Sequence, residues 1–206
     1  MFSVILNFPS FPFWQGVQSQ PGVRECLPFS VRWHNAGYFV QNQVKEIEQN
    51  ISKIYSSEEY QHGTLPPGNS EWSNNRGYHQ IDLIKNAVGN LEGKRILEIG
   101  GGSYFVAEQL CEEFEIEEYV IVDPSLKSSP KNENITVLRE YFTKDVQFDS
   151  DFDVIISYSC LEHIPEPIPF IEAIYDLGSK HSNSSILIGF PHIEFALSSG
   201  DLNVFC

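Results

Sequence analysis

The sequence predicts an α/β protein built on a doubly wound, mostly parallel sheet. Three observations predict it: short apolar runs alternate with stretches of helical period, each run stops at glycine, proline or a polar cluster, and the runs are rich in Val and Ile, as in strands buried on both faces. Arg95-Ile96-Leu97-Glu98-Ile99 is the first run, stopped by Gly100-Gly101-Gly102, and Val106, Ala107, Leu110, Cys111 and Phe114 then resume helical spacing. Tyr119-Val120-Ile121-Val122 is the second strand and meets Asp123-Pro124; Ile135 to Leu138 is the third. Phe152 to Tyr158 is the fourth. Phe170, Ile171, Ile174 and Leu177 mark a helix closed by Gly178, and Ser185 to Phe190 is the fifth strand, ahead of Pro191.

Upstream, Tyr78, Ile81, Ile84 and Val88 mark a helix that ends at Gly89-Asn90. Val40, Val44, Ile47, Ile51 and Ile54 recur at steps of four and three residues, one face of an amphipathic helix. Ser56 to Asn75, punctuated by Pro66-Pro67-Gly68 and Asn74-Asn75, reads as a loop. The first 35 residues hold Pro9, Pro12, Pro21 and Pro28 among aromatic residues without a period, and are expected to be irregular. The organisation expected is an irregular and helical N-terminal arm, residues 1–76, followed by an α/β domain over residues 77–206.

At 206 residues the chain has room for one ordinary core. Apolar residues at 41% and charged residues at 20% fit a folded soluble protein rather than a disordered or fibrous one. Lys plus Arg number 13 against 28 Asp plus Glu, a formal charge of -15 that disfavours a phosphate-backbone footprint, so no nucleic-acid partner is expected. No apolar run has membrane-spanning length, and the apolar opening Met1 to Phe8 lacks a basic flank and runs into Pro9 and Pro12, so neither a membrane nor a secretory signal is expected. A cytoplasmic location follows as an expectation. Cys26, Cys111, Cys160 and Cys206 form no CxxC pair, which argues for reduced thiols and against a metal site.

Ligands of a doubly wound sheet gather at the carboxyl ends of the strands near the point where strand order reverses. Glu98 stands there beside a run of glycines whose bare backbone admits a close approach. Its carboxylate suits a ligand ammonium and repels a diphosphate. Asp123 follows the second strand at about the 20-residue separation from the glycine turn at which an acid takes ribose hydroxyls. Ser157 to Pro165, with Ser159, Glu162 and His163, gathers polar and ionisable groups after the fourth strand. A dinucleotide turn would carry a third glycine where Tyr104 and Phe105 stand.

These residues resemble the class I S-adenosylmethionine-dependent methyltransferases from about Gly77 onward: Arg95 to Gly102 is similar to the first cofactor motif, Tyr119 to Ser125 to the ribose-binding strand end, and Phe152 to Pro167 to the fourth-strand motif. Pro191 to Phe205 looks like a segment of the C-methyltransferase-like, sugar-modifying branch. The resemblance implies a Rossmann-like methyltransferase fold lacking its last strands, and S-adenosylmethionine as cofactor. It implies that Glu98, Gly100, Gly101 and Gly102 cradle the methionine half, that Asp123 accepts the ribose hydroxyls, that Glu140 and Tyr141 flank adenine, and that Ser159 lies under the methyl. It implies methyl transfer to a small-molecule acceptor, and no metal is carried over, since the branch's cysteine-rich module is reduced here to Cys26.

Histidine is the side chain whose free pKa, about 6.5, lies near neutrality, and His163 is the candidate general base. Simpler roles compete: a local hydrogen bond for His163, a helix-start charge for Glu162, a solvent-facing place for His79, and loop polarity for His192 and Glu194. The acidic run Glu112 to Glu118 reads as a solvated helix end, and the aromatics Phe2 to Trp14 as packing. Two other functions fit parts of the sequence, namely a catalytically silent methyltransferase-like scaffold or fragment, and a nicotinamide-dependent oxidoreductase. The carboxylate of Glu98 and the missing third glycine weigh against the latter.

Overall fold

The computed structural model describes residues 2–12, 26–35, 37–41, 49, 67–68 and 70–191. The chain divides into two compact units, Met1–Thr64 and Leu65–Phe205.

In the first unit, β1 (Phe2–Pro12), β2 (Cys26–His34) and β3 (Tyr38–Gln41) form an antiparallel sheet in the order β1-β2-β3. This corrects the expectation of an irregular opening segment. Strand β1 sits at the edge of that sheet, and its pairing with β2 is irregular between Val4 and Leu6 and between Phe8 and Phe11. Pro9 falls inside the second irregularity and Pro12 ends the strand, the places where a residue without an N–H is tolerated. Of the amphipathic helix expected from Val40, residues Val40 and Gln41 belong to β3; the rest, except Gln49, lie outside the described residues.

In the second unit, α1 (Glu71–Val88) begins well before the expected helix start, so the expected loop ends sooner. Ser70 and Ser73 close a reciprocal cap: Ser73 N donates to Ser70 Oγ at 3.1 Å and Ser70 N to Ser73 Oγ at 3.0 Å. Residues 76 and 77, at the expected domain boundary, are consecutive positions of this helix. Its buried side is Ser73, Gly77, Ile81 and Ile84, while Tyr78 turns outward. Gly77 is needed because the Phe105 ring lies against it, where a Cβ would come within 2.5 Å.

The strands β4 (Arg95–Ile99), β5 (Glu118–Val122), β6 (Ile135–Leu138), β7 (Val154–Tyr158) and β8 (Ser185–Gly189) pair in parallel in the order β6-β5-β4-β7-β8. The expected fourth strand thus starts later, at Val154, though Phe152 is still buried. Between β4 and β5 runs α2 (Phe105–Glu113), and between β7 and β8 runs α3 (Pro167–Gly178). Alternation along the strands splits the core in two. Ile96, Tyr119 and Ile121 join Ile84, Val106 and Leu110 on one face; Leu97, Ile99, Val120 and Val122 join Phe152, Phe170 and Ile174 on the other. From β4 the chain winds outward through β5 to β6, then crosses back to β7, which puts the reversal of strand order between β4 and β7. No helix among the described residues is long and apolar enough to cross a membrane.

Candidate functional site

Strand alternation aims Glu98 into the same face as Ile96 and Tyr119, and the residue is 5% exposed. Tyr119, a neighbour on β5, donates its hydroxyl to Glu98 Oε2 at 2.8 Å. No ion pair compensates Glu98 among the described residues. Burial therefore pushes its pKa up to about 7; the Tyr119 hydrogen bond opposes the rise and the negative charge of Asp123 adds to it. Burial and the adjoining carboxylate push the Tyr119 phenol up as well.

The chain turns from β4 into α2 through Gly100 at φ +75° and Gly102 at φ +65°, left-handed conformations that favour glycine. Crowding adds a second reason. A Cβ on Gly100 would stand 2.7 Å from Cys160 Sγ, and one on Gly101 3.0 Å from Glu98 Cδ. The turn is thus a thin backbone layer between the Glu98 carboxyl and the segment following β7. Asp123, also 5% exposed, faces this turn: Gly102 N donates to its Oδ2 at 2.8 Å. Its Oδ1 accepts from Ser125 N at 2.7 Å and Ser125 Oγ at 2.6 Å. One carboxylate therefore ties the first strand end to the second. Tyr104, in the place of a third glycine, sends its hydroxyl to Ser128 O at 2.6 Å in the segment after Asp123.

After β7, Ser159 holds a positive φ of 51°, uncommon for a residue with a side chain, and its N–H donates to Gly189 O at 2.8 Å. It is exposed beside Cys160, whose thiol burial pushes up to about 12. A single 3₁₀ turn, Leu161–His163, follows, with His163 N donating to Cys160 O at 2.9 Å and the His163 side chain exposed. Glu140 and Tyr141 are exposed beyond β6, whose Leu138 O accepts from Asp123 N at 3.0 Å. Glu98, the three glycines, Asp123 and Cys160 are joined by these contacts; Ser159 and His163 continue from Cys160 along the chain. His79 is exposed on α1, and His192 and Glu194 lie outside the described residues. Sequence reasoning missed Tyr119, Ser125, Cys160 and Arg139. Tyr119 hides within an apolar run, and Arg139 shows only as a cation directly after a strand.

The residues suit a cofactor that is cationic at one end and carries a diol at the other. A buried carboxylate with no cation paired to it among the described residues faces a glycine turn, and a second carboxylate stands one strand away.

Residues 72–182, more than half of the chain, match the family described as a methyltransferase domain, and the chain belongs to that family. Its class is that of the class I S-adenosylmethionine-dependent methyltransferases, as the motifs at β4, β5 and β7 imply. Similar solved structures include the N-methyltransferase NodS from Bradyrhizobium japonicum WM9 in complex with S-adenosylhomocysteine, 12% identical over 68% of this chain and 68% of that one, at a TM-score of 0.48. The plantazolicin methyltransferase BpumL in complex with S-adenosylhomocysteine is 17% identical over 78% and 71%, at 0.47. Haemonchus contortus phosphoethanolamine N-methyltransferase 2 in complex with S-adenosyl-L-methionine is 18% identical over 86% of this chain and 42% of that one, at 0.44. No curated protein matches the chain.

Proposed function

We propose that this protein moves the methyl group of S-adenosylmethionine to a small-molecule acceptor held above β4 and β7. The observation that carries the reading is the buried, uncompensated Glu98 carboxylate behind the glycine turn, one strand from Asp123. Glu98 attracts the α-ammonium of the methionine half, and Gly100 to Gly102 let that half lie against bare backbone. Asp123 accepts the ribose hydroxyls, while its bond from Gly102 N keeps the turn in register with it. Glu140 and Tyr141 flank adenine, and Ser159 forms the floor under the methyl. When bound, the cofactor supplies an electrophilic methyl on a sulfonium, open to in-line attack. The protein's share is alignment and exclusion of water, which suit such a displacement. His163, exposed on the turn after β7, takes the acceptor's proton.

The formal charge of -15 supports a small metabolite over a nucleic acid as acceptor, and the free thiols of Cys111 and Cys160 suit a reducing, cytoplasmic setting. Calorimetric titration with S-adenosylhomocysteine tests the reading. Binding is expected in the wild type and strongly weakened in Asp123→Ala. Absence of binding in the wild type, or equal binding in the variant, overturns it.

A further inference from the structure

The segment that follows Asp123 is held from two sides. Tyr104, the residue before α2, donates its hydroxyl to Ser128 O at 2.6 Å. Arg139, directly after β6, donates from Nε to Leu126 O at 2.8 Å and from its terminal nitrogen to the same Ser128 O at 2.5 Å. Glu108 on α2 accepts from Lys131 N at 3.1 Å a little further on. At the near end, Ser125 and Leu126 are buried, and Ser125 is locked to Asp123. The Tyr104 side chain makes no capping bond to its own helix, so its hydroxyl serves the neighbouring segment.

We propose that Tyr104 is a positioning residue: with Arg139 it clamps Pro124 to Ser128 so that Asp123 and the backbone beside it are set in advance for the adenosine half of the cofactor. The inference rests on the cofactor reading above. A third glycine would give a closer approach to the ligand; here tyrosine gives up that approach and ties the turn to the adjoining segment. Two donors converge on one carbonyl, so loss of either loosens the segment and loss of both frees it.

The test compares the wild type, Tyr104→Phe and Tyr104→Phe/Arg139→Gln by calorimetry with two probes, S-adenosylhomocysteine and 5′-methylthioadenosine, and by hydrogen exchange of the amides from Ser125 to Ser129 without ligand. Tyr104→Phe is expected to weaken both probes by the same factor, about three- to tenfold for one lost hydrogen bond. Exchange should rise there, and the double variant should exceed the single one both in exchange and in loss of affinity. The proposal is overturned if both probes bind the single and double variants within twofold of wild type, or if only S-adenosylhomocysteine weakens, which would place Tyr104 at the methionine half. Should the wild type bind neither probe, the cofactor reading fails by itself. The exchange comparison then still decides whether the clamp exists, and unchanged exchange in the double variant refutes it.

Discussion

Replacing Glu98 by Gln should make the unliganded protein more stable while weakening its grip on the cofactor. Glutamine keeps the shape and still accepts the Tyr119 hydroxyl, but carries no charge to desolvate. The carboxyl's pKa is about 7 in the fold against an ordinary 4.5, so the folded state holds a proton that the unfolded state releases between those values. A raised carboxyl pKa therefore costs nothing below about pH 4.5, costs progressively more as pH climbs to 7, and levels off above it. That rise corresponds to roughly 3 kcal/mol at the plateau. Urea denaturation of the wild type and Glu98→Gln at pH 5 and pH 8 is the assay. The variant should gain up to roughly 3 kcal/mol at pH 8 and little at pH 5, with an unchanged slope against denaturant. A variant less stable than wild type at pH 8, or a gain that stays constant with pH, would refute the reasoning. The tension is the usual one between stability and function, because the buried charge that destabilises the fold is the one a cationic ligand neutralises.

Gly77→Ala sets helix propensity, worth about 1 kcal/mol in favour of alanine, against overpacking of about 1 to 3 kcal/mol where the new methyl meets Phe105. The contact sits at 2.5 Å, with Pro67 at 3.0 Å behind it, so overpacking should win and thermal denaturation should show a lower midpoint. Asp123→Ala should cost at least tenfold in S-adenosylhomocysteine affinity, since a hydrogen bond to a charged group is worth about 1.5 to 3 kcal/mol. A loss below threefold in the same titration would mean that the carboxylate serves only Gly102 and Ser125.

Most of the parallel sheet was legible because its signals are local. The β4 run, its glycine turn and the β5 run each sit within a few residues, and the periodicity of α2 and α3 names their buried sides. Glu98 and Asp123 stood out because a charge at the end of an apolar run is conspicuous. What escaped depends on partners far along the chain. Tyr119 read as one more apolar strand residue, and only strand pairing brings its hydroxyl to Glu98. Tyr104 read only as the residue in place of a third glycine, and nothing local tells that its hydroxyl reaches Ser128 O. The start of α1 was hidden because Ser70 and Ser73 make a capping box without the glutamate that usually signals one. The N-terminal sheet escapes for a different reason: prolines read as breakers, whereas an edge strand with a bulge accommodates them.

The central claim is that an uncompensated acid beneath the glycine turn receives the cofactor's positive end. Titration of S-adenosylhomocysteine into the wild type and Glu98→Gln at pH 6 and pH 8 tests it most directly. With the acid's pKa near 7, the wild type should bind about tenfold more tightly at pH 8 than at pH 6, with proton release, and Glu98→Gln should bind weakly with no such difference. Equal wild-type affinity at the two pH values, or tighter binding by Glu98→Gln, would contradict the account.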